Sequence, residues 1–327
     1  MLTDAFNRVH NYLRISLTDR CNFRCTYCLP DDSPGAYQWM SNLMTADEIV
    51  QIAKVFTDLG VTKIRLTGGE PLVRKDAGDI MLRLSELPVK LTLTTNGVRA
   101  DEFLSVFRKA GIHSLNVSLD SLNREVFRNI TQRDQFDRVI QNIHLLSEER
   151  FHLKLNMVVM KGINEQEIPA FIALTRDKNI HVRFIEYMPF AKNHWENAKV
   201  VGETEILDWA KQYASIEKLN DDPGTTARAW RADGHAGTFA IISTMTHPFC
   251  SSCNRLRLTA DGKMKNCLFS AGETDLLSAL RRGHPVEPLI RQNLMMKAAA
   301  RGGQMDQPLE SLDPELMKNR SMIAIGG

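Results

Sequence analysis

Residues Tyr12-Leu13-Arg14-Ile15-Ser16-Leu17-Thr18-Asp19-Arg20-Cys21-Asn22-Phe23-Arg24-Cys25-Thr26-Tyr27-Cys28 carry two messages. In the first half Leu13, Ile15 and Leu17 alternate with Arg14, Ser16 and Thr18, the period of a strand. The second half sets Cys21, Cys25 and Cys28 at C-x₃-C-x₂-C spacing, so that three thiolates from one loop can converge on one centre. A closed zinc or iron–sulfur site usually takes four protein ligands. This loop offers three and no nearby histidine, so a small molecule is expected to fill the fourth place.

From this stretch onward a unit repeats: strand-like run, motif-bearing loop, helical pattern. Strands are predicted at residues 12–18, 63–67, 90–95, 114–120, 153–160 and 181–187. Helices are predicted at 45–59, 76–87, 101–110, 137–149 and 165–177, the first with Thr45 and Glu48 as a capping box. Six successive units argue for an α/β fold with parallel strands and right-handed crossovers. Eight would close a barrel, so six predict a partial (β/α)6 barrel.

The strand faces are uneven. Arg14, Lys63, Arg65, Thr92, Thr94, Asn116, Ser118, Asp120, Lys154 and Asn156 share one face, and the opposite face is apolar. Parallel strands are normally apolar on both faces. The polar face therefore predicts a lumen filled by water or ligand. Arg14, Arg65 and Lys154 on that wall would repel one another without a counter-ion, and a polyanion such as a triphosphate supplies one. The loops after the strands are where a barrel keeps its chemistry. They hold the cysteines, then Gly68-Gly69-Glu70-Pro71, then Asn96-Gly97.

The chain has 327 residues, 43% hydrophobic and 24% charged, enough for a large core with an appended module. A net charge of +2 gives no reason to expect nucleic acid or an anionic membrane as partner. With no apolar leader and no membrane-length apolar run, a cytoplasmic protein is expected. The six cysteines fall into two tight groups, which suits ligands better than disulfides.

Division into a barrel of residues 1–190 and a smaller C-terminal module of residues 191–327 is expected, with 189–204 as linker. Strand-like runs at 238–243 and 255–259 flank Cys250, Cys253 and, further on, Cys267. Spacing alone fits two readings of this second triad equally: iron–sulfur, or zinc with His247 or His284. The terminal Gly326-Gly327 is slim enough to enter a narrow cavity; read alone, it is a disordered end.

A three-cysteine 4Fe–4S cluster leaves one iron open for the amine and carboxylate of S-adenosylmethionine. Cys-x₃-Cys-x-Tyr-Cys followed by Gly68-Gly69-Glu70-Pro71 resembles the radical S-adenosylmethionine superfamily. Lys63-Ile64-Arg65-Leu66-Thr67, Asn116-Val117-Ser118-Leu119-Asp120, Arg183-Phe184-Ile185-Glu186-Tyr187-Met188 and Cys250-Ser251-Ser252-Cys253-Asn254-Arg255-Leu256-Arg257 are similar to its GTP 3′,8-cyclase family, over nearly the whole chain.

The resemblance implies the following. Cys21, Cys25 and Cys28 hold the cluster that cleaves S-adenosylmethionine, with Tyr27, Gly69, Ser118 and Met188 at its other positions. Cys250, Cys253 and Cys267 hold a second 4Fe–4S cluster that meets the substrate, in an iron–sulfur rather than zinc site. Arg14, Arg65, Thr94, Lys154, Arg255, Leu256 and Arg257 bind GTP. Arg14, Tyr27, Arg255, Arg257, Gly326 and Gly327 serve catalysis.

Implied partners are GTP, an electron donor and a downstream cyclic pyranopterin monophosphate synthase; assembly is left open, with a homodimer among the options. Two other readings stand beside this one: a peptide-modifying maturase of the same superfamily, and a non-catalytic, zinc-stabilised nucleotide-binding module.

Overall fold

The alternation read in the opening stretch is a strand, β1 (Tyr12–Ser16), whose Leu13 and Ile15 are fully buried. A computed structural model describes residues 1–28, 41–191, 193–221, 224–305 and 307–326. The next five strands are β2 (Lys63–Thr67), β3 (Lys90–Thr95), β4 (Ser114–Ser118), β5 (His152–Val159) and β6 (His181–Glu186). They pair in sequence order, every pair parallel. Their starts match the expectation to within a residue. Polar residues expected at the strand ends, such as Thr18 and Asp120, lie in the loops that follow.

Between the strands run α1 (Ala46–Asp58), α2 (Ala77–Leu84), α3 (Leu104–Lys109), α4 (Arg124–Thr131), α5 (Phe136–Glu148) and α6 (Ile168–Ala173). The Thr45–Glu48 capping box opens α1: Glu48 N–H donates to Thr45 Oγ1 and Thr45 N–H to Glu48 Oε2. α4 escaped the sequence reading. Its fully buried apolar residues are only Phe127 and Ile130, and its clearest signal is local, the side chain of Asn123 accepting from Glu125 and Val126 N–H.

The C-terminal part forms α7 (Glu203–Tyr213), β7 (Ile216–Lys218), β8 (Arg228–Ala232), β9 (Thr238–Ile242), β10 (Arg255–Leu258), β11 (Lys263–Lys265) and β12 (Thr274–Asp275). The helices α8 (Leu276–Arg281), α9 (Glu287–Met295) and α10 (Met322–Ile325) follow. These later strands join the barrel sheet at both edges. β9 pairs parallel with β6 and β10 parallel with β1, in the order β12-β11-β10-β1-β2-β3-β4-β5-β6-β9-β8-β7. Without them β1 and β6 would each present a row of unpaired backbone groups.

The apolar strand faces meet the helices. Leu13, Ile15, Ile64, Leu66, Leu93 and Leu155 share one cluster with Ile49, Ile52 and Phe56 of α1 and Phe107 of α3, all fully buried. Each such side chain contributes about 1.5–3 kcal/mol. That burial offsets the cost of a polar lumen on the other face. Among the described residues no helix is long and apolar enough to cross a membrane.

Candidate active site

Because β1 and β10 are parallel neighbours, with Tyr12 opposite Arg255, the two cysteine groups stand at opposite ends of β1. Cys21 follows the C-terminal end of β1. Cys253 precedes the first residue of β10, beside the N-terminal end of β1. β11 runs antiparallel to β10, with Lys265 opposite Arg257, which returns Cys267 to the same end as Cys253.

The first cavity spans about 1020 Å³ including its mouth open to solvent, and is lined by all three thiols of the first loop, with Gly69, Glu70, Ser118 and Asp120. Gly68 and Gly69 are needed as glycines: a Cβ would fall 2.7 Å from Thr18 O and 2.5 Å from Arg20 O. Glu70, 1% exposed, accepts from Leu72 N–H, Asn96 N–H and Thr95 Oγ1, so it ties the β2 loop to the β3 loop. Burial raises its carboxyl to about 7. Tyr27 donates its hydroxyl to Asp120 at 2.7 Å, which fastens the cysteine loop to the end of β4.

Burial first, then Glu70, pushes the Cys21 thiol up to about 12. Burial and the neighbouring thiols raise Cys25 and Cys28 as well. Three thiols that oppose each other's ionisation suit a metal, which converts them to thiolates on binding. Among the described residues no three His, Cys, Asp or Glu side chains stand close enough to hold one metal ion between them. A four-iron cluster asks for less, since each thiolate binds a different iron.

The second cavity spans about 930 Å³ including its mouth open to solvent, and is lined by Cys250, Cys253 and Cys267 together with Arg14, Arg183, Arg255 and Arg257. It shares Thr94, Asn156, Ile185 and Met322 with the first, so the two meet. Arg14 lies in register with Arg65 and Arg257, and Asn116 with Lys154. Arg65 donates to Tyr12 Oη, Leu93 O and Thr94 Oγ1. Among the described residues none of Arg14, Arg65, Lys154, Arg183, Arg255 or Arg257 pairs with a carboxylate.

Among the described residues Arg14 Nε, Arg183 Nη2, Arg255 Nη2 and Arg257 Nε are buried and find no hydrogen-bond partner. Burial and neighbouring arginines lower Arg183 and Arg257 to about 9, and burial with Arg183 and Arg65 lowers Lys154 to about 8. Such a wall can bind a compact polyanion through several forked contacts.

Several placements differ from expectation. Leu256 is fully buried in the apolar core, because strand alternation turns it away from Arg255 and Arg257. Met188, expected at the S-adenosylmethionine end, lines the second cavity, where Asn193 holds its carbonyl. Arg183 escaped the list of binding residues, although its phase on β6 was the usable signal: it pairs in register with inward Asn156.

His247 stands 3.2 Å from Glu203, and His284 is exposed. Gly326 abuts β1 and β2, where a Cβ would meet Ser16 Cβ and Thr67 Oγ1 at 2.8 Å. Gly327 lies outside the described residues.

A parallel partial barrel whose first loop carries three thiols beside Gly68-Gly69-Glu70 defines a radical S-adenosylmethionine enzyme. Residues 15–175 match the radical SAM superfamily and residues 180–304 match Molybdenum Cofactor Synthesis C. The crystal structure of Streptococcus suis SuiB bound to S-adenosylmethionine has a TM-score of 0.61, covering 97% of this chain and 77% of that one; at 14% identity it speaks to the fold alone.

GTP 3′,8-cyclase, mitochondrial, of Arabidopsis thaliana is 44% identical, covering 100% of this chain and 84% of that protein. For GTP 3′,8-cyclase of Peptoclostridium acidaminophilum the identity is 39%, with 100% and 98% covered. The chain therefore belongs to the GTP 3′,8-cyclase family. It spans about half of molybdenum cofactor biosynthesis protein 1 of Mus musculus, 43% identical with 51% of that protein covered.

Proposed function

We propose that this chain converts GTP to (8S)-3′,8-cyclo-7,8-dihydroguanosine 5′-triphosphate, the first step of molybdenum cofactor synthesis. One observation carries the reading: six lumen cations without a carboxylate partner among the described residues, beside a cavity that opens onto a three-thiol loop.

Cys21, Cys25 and Cys28 would hold a 4Fe–4S cluster, and Gly69, Ser118 and Tyr27 would border S-adenosylmethionine next to it. When bound, that pair supplies a carbon-centred radical by one-electron cleavage of the sulfonium. Ribose C3′ would lose its hydrogen to that radical, C3′ would join guanine C8, and one electron from the donor with one proton at N7 would complete the dihydroguanine.

The chain's own residues bind, orient and shield. Arg14, Arg65, Lys154 and Arg183 hold the triphosphate, with Thr94 at the junction of the two cavities. Arg255 and Arg257 stand beside Cys250, Cys253 and Cys267, which would hold a second 4Fe–4S cluster facing the base. Because the two cysteine groups flank β1 at opposite ends, a GTP bound between them would lie within reach of both. Met322, which lines both cavities, narrows the space between them, and Gly326 packs against β1 and β2 at Ser16 and Thr67. An electron donor, a downstream cyclic pyranopterin monophosphate synthase and a cytoplasmic setting go with this reading.

The test is anaerobic incubation of reconstituted protein with GTP, S-adenosylmethionine and a strong reductant. Release of 5′-deoxyadenosine matched mole for mole by loss of GTP is expected. No 5′-deoxyadenosine from fully loaded protein would overturn the assignment.

A further inference from the structure

Lys297, two residues past the end of α9, is 4% exposed. Its Nζ donates to Asn266 O at 2.6 Å and Arg255 O at 3.2 Å, and lies 3.7 Å from Cys253 Sγ. One ammonium thus joins three stretches: the Cys250–Cys253 turn, the first residue of β10, and the residue before Cys267. Sequence reasoning gave no role to this lysine, because its neighbours come from stretches 31 to 44 residues away.

Its charge lacks an ordinary partner. Arg8, another buried cation at this end, pairs with Asp4 at 2.6 Å while holding Cys250 O, Ala298 O and Ala299 O. No carboxylate pairs with Lys297 among the described residues. Burial works against its ammonium, Cys253 and Cys267 favour it, and Arg8 and Arg255 oppose it. A buried ammonium without an anion costs several kcal/mol. The anions within reach are the thiolates that Cys253 and Cys267 become as metal ligands.

The two cysteine groups therefore sit in opposite fields. Acidic Glu70 and Asp120 face the first. Arg255 and Lys297 face Cys253 of the second, and Arg301 N–H donates to Cys250 Sγ at 3.4 Å. Positive charge and N–H···S bonds stabilise the reduced, more negative form of a cluster and so raise its potential.

We propose that Lys297 is a positioning residue for the second iron–sulfur cluster, fastening the two parts of its ligand set and raising its reduction potential through the Cys253 sulfur. This rests on reading Cys250, Cys253 and Cys267 as cluster ligands.

The test uses full-length protein carrying Cys21→Ala, Cys25→Ala and Cys28→Ala, so that only the second site can hold iron. After anaerobic reconstitution, iron and sulfide are counted and the midpoint potential is titrated by electron paramagnetic resonance, without GTP. With Lys297→Met the iron content is expected to hold and the midpoint to move lower; Lys297→Arg is expected to stay near the parent. An unchanged midpoint in Lys297→Met at full iron would overturn the proposal. If Lys297→Met fails to hold iron, Lys297→Arg decides. Iron and midpoint near the parent support the charge, and loss of iron there too overturns it. No iron in the parental triple variant would instead remove the cluster reading itself.

Discussion

Arg14 on β1 and Arg257 on β10 are cross-strand neighbours in the same register, two like charges on one face of a parallel pair. Arg65 takes the same register on the other side of Arg14. Two unit charges about 5 Å apart at an effective dielectric near 20 repel by about 3 kcal/mol. A row of three is sustained here by core packing behind the sheet, and a bound anion would relieve it.

Arg257→Ala should therefore separate binding from stability. Loss of one charged contact to the bound nucleotide is worth about 1.5–3 kcal/mol, or about 10- to 100-fold in GTP affinity. The ligand-free melting temperature should stay level or rise, since repulsion is removed. Reductive cleavage of S-adenosylmethionine should persist, uncoupled from GTP loss. Unchanged GTP affinity in equilibrium binding would refute the role of the guanidinium.

Lys154 gives a pH test whose sign is fixed by its environment. Burial, then Arg183 and Arg65, lowers its folded-state value from 10.5 to about 8. Between about pH 8 and 10.5 the unfolded chain keeps this proton while the folded chain has lost it, so stability from this group rises with pH. Ligand-free protein should gain melting temperature across that window relative to Lys154→Met. GTP affinity should fall over the same range as the cation is lost. Identical pH profiles for parent and Lys154→Met would count against Lys154 as a lumen cation.

What could be read beforehand follows from range in sequence. Leu13-Arg14-Ile15 and Ile64-Arg65-Leu66 declare their faces within three residues, so the six parallel strands and their lumen side were legible. The Thr45–Glu48 cap was legible for the same reason. The pairing of Tyr12 with Arg255 was not: nothing local in either strand states that the second cysteine group returns to the N-terminal end of β1. Met188 was placed by motif rather than by phase, and the fold carries it to the other cavity. α7 begins inside the stretch read as a linker, where Gly202 and Glu205 supply a weaker start signal than Thr45 and Glu48 do for α1.

The second cysteine group can be counted directly. Substituting Cys250, Cys253 and Cys267 together by Ala should remove half of the iron and sulfide of anaerobically reconstituted protein, because each group would hold one four-iron cluster. The remaining cluster should still bind S-adenosylmethionine, whose cavity touches none of the three. Full iron content in the triple variant would leave that cysteine group without a cluster.

Gly326 offers a steric test of the C-terminal segment. Its φ of 86° lies in the region that favours glycine, and a Cβ would stand 2.8 Å from both Ser16 Cβ and Thr67 Oγ1. Neither neighbour is free to retreat: Thr67 Oγ1 donates to Ile15 O and Ser16 Oγ to Thr18 O. Positive φ alone costs a side-chain-bearing residue about 1–2 kcal/mol, and the overlap adds to it. Gly326→Ala should therefore lift the segment off β1 and β2 and draw Met322 from the wall shared by the two cavities. Turnover of GTP should fall about 10-fold or more, with 5′-deoxyadenosine released in excess over GTP consumed and the C-terminal segment cut faster by protease. Ser16→Gly removes one of the two clashing atoms, so the Ser16→Gly/Gly326→Ala pair should recover part of the loss. A Gly326→Ala variant with parental coupling and parental protease resistance would show that the segment does not depend on this contact.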